Sequence, residues 1–407
     1  MVILYFLLIL FLPQLWLYVI GVVLTGVLHA HHRFAMPALA PLLSSLVVTA
    51  SYLLYGYIEG PDADRLESIS SSGRLVLGLG TTFGVVVLSF CLLPSVRALG
   101  VGWRPTLAMP EEARRKIRAL ILPAMVTIGA QQIFLGVVLV LANRVEGGVV
   151  AYQLALTALL VFWAVFPLPM ATTMFPGLAA AAVSDRVEFA RRSSEAVRKV
   201  TVIVLGASAL LFAVADPAAR LVVHLGAGAD ADSREMVSLT IAAFAPGLVG
   251  YGLYALLTRG AYALGDGKGP AIAALAGFGA GIGVNVAAAQ IFDGPQLIAS
   301  LAAGFSLGIS GSAILLMVFF RSRAGSAALD GAALAFGRSL LAGAAAAGVG
   351  LVIARMMPVG TFGEDLGRAA AVGFATVCAY LVASVLLGER ELTGALRPGR
   401  AGKLRSR

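Results

Sequence analysis

The chain is written in long apolar blocks separated by short polar ones, each block long enough to cross about 30 Å of hydrocarbon as a helix. Such windows fall at residues 2–28, 36–57, 74–95, 117–142, 148–183, 200–223, 236–262, 269–291, 296–320, 332–356 and 366–388, which predicts eleven membrane-spanning helices. The fifth window is too long for one straight crossing, so Pro167, Pro169 and Pro176 are expected to break it into a span and an interfacial stretch. The segment 184–199 opens on Ser184 and Asp185 and mixes basic with apolar positions, the pattern of an interfacial helix lying on anionic lipid. The apolar runs are continuous and do not alternate over about ten residues, which excludes a transmembrane β-barrel.

Charge gives the pattern a direction. When the spans alternate, 22 of the 30 Lys and Arg residues fall on one side and 7 on the other, with Arg338 inside a span. The rich side holds Arg33, the run from Arg97 to Arg118, the run from Arg186 to Lys199, Arg259, Lys268, Arg321, Arg323 and the tail beyond residue 389. By the positive-inside rule this side is cytoplasmic, which puts the C-terminus inside and residue 1 outside. Met1 leads straight into apolar sequence with no charged n-region or cleavage site, so the intact protein is expected to begin further upstream.

Composition narrows the class. Hydrophobic residues make up 59% and charged residues 13%, with mean hydropathy +0.92. Soluble domains hold about 45–50% apolar and about 25% charged residues, so a soluble enzyme is excluded. Cys91 and Cys378 both lie in apolar windows and offer no disulfide framework. The basic residues form a collar suited to anionic lipid headgroups at the cytoplasmic face, not a nucleic-acid surface. No phosphate-binding loop is present, and no cofactor is expected.

Three stretches carry a family resemblance. Gly26 to Pro41 contains His29-Ala30-His31-His32-Arg33-Phe34 followed by Pro37-Ala38-Leu39-Ala40-Pro41. Phe166-Pro167-Leu168-Pro169 runs to Met174-Phe175-Pro176-Gly177-Leu178, with a basic amphipathic segment after it. Leu256-Leu257-Thr258-Arg259-Gly260-Ala261-Tyr262-Ala263-Leu264-Gly265-Asp266 is the most specific of the three. Together they resemble the MviN/MurJ-type lipid II flippases of the multidrug/oligosaccharidyl-lipid/polysaccharide exporter superfamily. The resemblance implies fourteen helices with both ends cytoplasmic, of which this chain would hold the fourth to the fourteenth. Removing three helices leaves the N-terminus outside, which agrees with the charge count.

The expected fold is therefore an all-α polytopic, two-lobed exporter-type bundle with a truncated N-lobe. Its parts would be a partial N-lobe of three helices (1–95), a basic cytoplasmic linker (96–116) and a six-helix C-lobe (117–320). Two extra helices (332–388), which the resemblance assigns to a groove for a lipid tail, and a basic cytoplasmic tail (389–407) complete it. The resemblance further implies alternating-access transport of a polyprenyl-pyrophosphate-linked peptidoglycan precursor across the bacterial cytoplasmic membrane, with cell-wall synthesis proteins as partners. Symmetric rocking needs two full lobes, so residues 1–407 alone are expected not to flip substrate.

A pyrophosphate crossing hydrocarbon needs fixed positive charge, and arginine grips phosphate bidentately. The family keeps such an arginine on its eighth helix, where this chain aligns Thr157, and the window 148–183 contains no charged residue. What polar material remains defines the candidates. Gln131, Gln132 and Asn285 lie mid-span, as cavity wall or as interhelical hydrogen-bonding groups. Tyr152 and Gln153 open the fifth window, as sugar contacts or as ordinary interfacial belt. Arg259 and Asp266, two helical turns apart, read as a gate or headgroup contact or as a structural helix end, the latter favoured two to one. Arg33 with its histidine cluster reads as a headgroup contact, and a metal site there is unfavoured for want of carboxylates. Arg338 is expected to snorkel to the cytoplasmic interface.

Rival functions remain. The triplets Asp62-Ala63-Asp64 and Asp230-Ala231-Asp232 could hold a metal in a membrane glycosyltransferase, but solvated turns explain them better. Export of another lipid-linked glycan or small molecule, and a non-transporting scaffold of cell-wall assembly, stay open beside the flippase reading.

Overall fold

The computed structural model describes residues 2–31, 33–60, 69–100, 111–224, 231–389 and 391. Among them, 11 helical stretches are long and apolar enough to cross a membrane, and no strand is present. The D-x-D triplet at 62–64 and Asp230 of the triplet at 230–232 lie outside the described residues, as do His32, residues 101–110 of the basic linker and most of the tail. The chain divides into two compact units, residues 1–109 and 110–407, the boundary falling within the basic stretch 96–116.

The first unit holds α1 (Val2–Ala30), α2 (Ala35–Glu59), α3 (Ser71–Phe90) and the short α4 (Leu93–Arg97), with α3 packed against both α1 and α2. Hydroxyls on α3 reach into α1 where its helix is interrupted. Pro13 cannot donate to the preceding turn, and Thr82 Oγ1 donates at 3.0 Å to the Leu10 carbonyl three residues before it. Gln14 Nε2 then donates to Thr82 Oγ1 at 2.8 Å, and Ser89 Oγ donates to the Leu17 carbonyl at 2.7 Å. In hydrocarbon there is no water to do this work, so neighbouring side chains must.

The second unit runs α5 (Glu111–Ala142), α6 (Gly148–Val165), α7 (Pro167–Ser184), α8 (Arg186–Ala213), α9 (Ala215–His224), α10 (Ala231–Ala263), α11 (Lys268–Ala288) and α12 (Gly294–Ala324). A 3-10 turn at Ser326–Leu329 leads to α13 (Ala332–Met356) and α14 (Phe362–Leu386). Helices α10 and α12 form its centre. α6, α7 and α8 pack on α10, α11 packs on α12 and α5, and α13 packs on α8 and α14.

Small residues bring α10 and α12 together. A Cβ on Gly247 would lie 2.5 Å from Ser306 Oγ, and one on Gly250 would lie 2.7 Å from the Ser310 backbone. The same Ser306 donates at 2.7 Å to the Ala243 carbonyl, three residues before Pro246 and next to the Ala242 carbonyl that the proline leaves without its helical donor. Ser208 of α8 donates to the Ala245 carbonyl at 2.7 Å from the other side. Helix α11 approaches α12 in the same way through Gly277, Gly281, Gly304 and Gly308.

One expectation is borne out and another corrected. The long fifth window breaks, as expected, into two helices, α6 and α7, separated at Phe166, because Pro167 starts a helix readily at its first position but cannot continue one. Both parts belong to one apolar stretch, Gly148–Ser184. The segment 184–199 is not a separate interfacial helix. It is the first half of the continuous α8, whose Phe189, Ser193, Ser194, Ala196 and Val197 are buried against the rest of the unit. The apolar span accordingly covers Arg186–Ala213 and not 200–223, and Asp216, Arg220 and His224 fall on the separate α9. Hydrophobicity alone places a span over the most apolar residues, whereas here the packed face decides.

Ionic contacts fasten the last two helices at both ends. At one end Arg368 of α14 donates to the Ala354 carbonyl at 2.9 Å and meets Asp216 of α9 at 3.1 Å. Asp216 also takes Arg220 at 3.1 Å, and His224 Nε2 lies 2.9 Å from Asp365 Oδ2, a carboxylate almost wholly enclosed. At the other end Arg198 of α8 contacts Glu391 at 2.8 Å and the Asp330 carbonyl at 2.9 Å. Arg338 donates to the Gly388 carbonyl at 3.0 Å. Burial pushes the Glu389 carboxyl above its usual range, and Arg338 beside it works in the opposite direction.

Gly277→Val should destabilise the second unit by about 1–3 kcal/mol, because its side chain would collide with Ser312 and the Gly308 carbonyl. Gly279→Ala, which meets nothing within 4 Å, should leave the unfolding midpoint in detergent unchanged. Arg368→Met should cost about 1–3 kcal/mol, since it leaves the Ala354 carbonyl unpaired and removes one of the cations on Asp216, which keeps Arg220. A thermal melt of that variant matching the parent's would contradict the clamp.

Candidate functional site

Polar side chains that survive in a span must have a partner or a task. In the second unit they gather on one face of α10. Tyr251, Tyr254, Thr258 and Tyr262 are three or four residues apart and so stack along the same side of the helix. Thr127 and Gln131 of α5, one turn apart, come up to this face. Gln131 lies beside the Tyr251 hydroxyl, and Thr127 and Thr258 lie beside Tyr254. The Tyr254 hydroxyl donates to the Pro270 carbonyl at 3.0 Å.

Trp163 of α6 completes the seam. Its ring is stacked on Tyr251 with centroids 5.2 Å apart and planes 20° apart, and Phe305 of α12 closes edge-on against Tyr251 at 6.1 Å. The Trp163 indole N–H is buried and has no hydrogen-bond partner among the described residues. Gln131 is exposed, and Trp163, Tyr251, Thr258 and Tyr262 are partly so. The seam is uncharged: it offers an amide, hydroxyls and aromatic faces, which suit neutral polar groups and not a dianion.

Arg259 is the nearest cation on α10, eight residues or about 12 Å beyond Tyr251. It is half-buried and donates to the Ala255 carbonyl of its own helix at 3.1 Å. Asp266 does a different job. Its Oδ1 accepts the backbone N–H groups of Lys268 and Gly269, each at 3.0 Å, and so caps the start of α11. Gly265, at φ +75°, ends α10 just before it, with Asp266 N–H returning to the Ala261 carbonyl at 2.9 Å. The two residues do not pair with each other; Arg323 is the cation that approaches Asp266, at 3.9 Å.

The remaining candidates are scattered. Gln132 is exposed on α5 and takes no part in the seam, while Gln153 and Thr157 share an exposed strip of α6, the Thr157 hydroxyl donating to the Gln153 carbonyl at 2.8 Å. Tyr152 is a core residue, 1% exposed and set edge-on against Phe244 at 5.2 Å. Asn285 is fully enclosed against Gly304, and its amide has no hydrogen-bond partner among the described residues. Arg33 of the first unit is exposed beside a concavity of about 610 Å³ lined by Phe34, Met36, Pro94 and Ser95. Among the described residues no cluster of His, Cys, Asp or Glu could hold a metal ion.

Trp163, Tyr251 and Tyr254 escaped the sequence reading, although the spacing of Tyr251, Tyr254, Thr258 and Tyr262 was visible. Tyrosine and tryptophan in a span read as interfacial belt until a neighbouring helix shows what they face.

Eleven apolar spans and a neutral polar seam among them define a multi-pass membrane protein with an exporter-type fold. The chain superposes on a structure titled "Lipid II flippase MurJ, inward closed conformation" with a TM-score of 0.69, at 18% identity, covering 96% of this chain and 75% of that one. It also matches "Crystal structure of MATE in the bent conformation" with a TM-score of 0.59, at 17% identity, covering 80% and 69%. The chain belongs to the family described as "Lipid II flippase MurJ", whose model matches residues 3–364. Among curated relatives it is 28% identical over 298 residues to the "Probable lipid II flippase MurJ" of Rhizobium meliloti (strain 1021), covering 71% of this chain and 51% of that one. It is 26% identical over 262 residues to the protein of the same name from Vibrio cholerae, covering 63% and 47%. A further match, 26% identical over 254 residues, is the "Lipid II flippase MurJ" of Burkholderia cenocepacia, covering 60% and 46%. The chain thus spans about half the length of the curated relatives it matches.

The stacked pair can be tested as a unit. In a double-mutant cycle, Trp163→Ala and Tyr251→Ala should couple by about 0.5–1.5 kcal/mol in thermal stability. Strictly additive losses would mean that the rings only share a neighbourhood.

Proposed function

We propose that this protein moves lipid II, a polyprenyl-pyrophosphate-linked peptidoglycan precursor, across the bacterial cytoplasmic membrane by alternating access. The observation that carries the proposal is the family match over residues 3–364. In this reading the chain acts as a transporter and not as an enzyme, with its C-terminus cytoplasmic and residue 1 outside, an orientation that the charge asymmetry of the loops supports. The neutral seam of Gln131, Trp163 and Tyr251 meets sugar or peptide of the headgroup. Arg259 supplies positive charge for the pyrophosphate, and Arg33, on the first unit, is a separate headgroup contact.

A second reading is favoured by one observation. The apolar stretch Gly148–Ser184 carries no Arg, Lys, Asp or Glu, and Thr157 stands where the resemblance calls for an arginine. A member that keeps the fold without the cavity charge would act as a scaffold for cell-wall synthesis proteins.

Reconstitution separates the two. Transfer of label to the outer leaflet well above the rate of empty vesicles, by purified protein in vesicles carrying fluorescent lipid II in the inner leaflet, would establish the flippase reading and overturn the expectation that two full lobes are needed. Gln131→Leu should slow this about fivefold, the worth of one hydrogen bond to the substrate or its seam. No transfer by correctly inserted protein is what that two-lobe expectation foresees, and it would favour the scaffold.

A further inference from the structure

The junction of α7 and α8 is a tight helical elbow. Asp185 accepts the Val187 N–H at 2.8 Å and starts α8 one residue after α7 has ended. On either side of this turn Val183 and Val187 are 90% and 78% exposed, next to the exposed cations Arg186 and Arg191. Bare valines alternating with arginines suit neither water nor hydrocarbon alone; they suit the boundary between the two.

Just inside the elbow a cleft of about 200 Å³ opens between the helices, with Thr173, Met174 and Leu178 on one wall and Arg192, Glu195 and Lys199 on the other. Gly177 makes the cleft possible: a Cβ there would lie 2.9 Å from Arg192 Nη1. Two carboxylates hold the cations in place. Glu188 Oε1 takes Arg192 Nε at 2.6 Å, and Glu195 Oε1 takes Lys199 Nζ at 2.5 Å. The terminal nitrogens of Arg192 make no hydrogen bond to the described residues, so its outer fork stays available. Arg192 and Lys199 are seven residues apart, two turns along one face of α8, and bracket the cleft from above and below. Across residues 183–199 five cations face three acids, a net positive elbow.

We propose that this cleft is a binding site for the phosphate of an anionic glycerophospholipid of the surrounding leaflet. The Arg192 fork and Lys199 take the phosphate oxygens, Met174 and Leu178 receive the glycerol and the root of the acyl chains, and Val183 and Val187 sit among neighbouring lipids. The site is separate from the Tyr251 seam and does not depend on transport of lipid II. It uses only the position of the elbow at the membrane boundary.

The test uses the full-length protein in nanodiscs of equal parts phosphatidylglycerol and phosphatidylcholine, followed by detergent exchange and mass spectrometry of the lipid that stays bound. The parent should retain phosphatidylglycerol in preference to phosphatidylcholine. The double variant Arg192→Gln with Lys199→Gln should lower that retention about tenfold or more. Gly177→Leu, which fills the cleft and leaves the charges, should lower it too. The melting temperature in detergent checks that each variant is folded, and Lys268→Gln, a cation on another helix, should change nothing. Equal retention of the two lipids by the parent, or unchanged retention in a folded double variant, overturns the proposal. Displacement of the lipid by excess inorganic phosphate at constant ionic strength also overturns it, because the site would then be one for free phosphate.

Discussion

The close approach of α10 and α12 is the contact on which the larger unit is built. Within a bilayer there is no hydrophobic gain in bringing two apolar helices together, so they must gain from packing and from satisfying each other's backbone. Gly247 and Gly250 let the α12 backbone come in, and Ser306 uses that proximity to serve the Ala243 carbonyl near Pro246. A side chain at either glycine would push the serine away and remove this side-chain bond between the two helices. Helices α8 and α6 then pack on α10, and α11 on α12, so the seam around Tyr251 inherits its geometry from this one crossing.

The same economy runs through the first unit, where Thr82 and Ser89 of α3 serve carbonyls of α1. Hydroxyls in these spans are therefore mostly structural, which bears on how polar residues in a membrane protein are weighed. Most of the exceptions lie around Tyr251: an exposed amide, partly exposed tyrosines and an indole with no partner among the described residues. Two further polar groups are held apart from them. Asn285 is sealed against Gly304, and Asp266 is occupied in capping α11. Ionic residues are confined to the ends, where Arg368 with Asp216 and Arg198 with Glu391 tie α13 and α14 to α8 and α9.

Where the sequence reading and the structure part, the reason is lateral packing. Segment 184–199 has the composition of a surface helix, and half of its circumference does carry paired surface charges. Its other half, Phe189 with Ser193 and Val197, faces the core and continues without a break into the span. Tyr152 opens a helix, as an interfacial tyrosine should, and yet turns inward onto Phe244. In both cases the chain says what a residue is and how far along a helix it lies, but not which neighbour the helix will meet.

The sequence by itself determined that this is a polytopic helical membrane protein, the approximate limits of most of its spans, the arginine and lysine asymmetry on which their expected sidedness rests, and its likeness to the flippase family. Those properties are set by the exchange of apolar surface with hydrocarbon and by charge beside the membrane, and both are local along the chain. Tertiary structure alone decided that Gln131 meets Tyr251 while Gln132 does not, that Trp163 stacks across from another helix, and that Gly177 makes room for Arg192. Such pairings join residues from 15 to 120 positions apart, and they depend on the rotation of each helix about its axis. A hydropathy pattern leaves that rotation free, because lipid rewards every apolar face alike; the close contacts of small residues are what fix it.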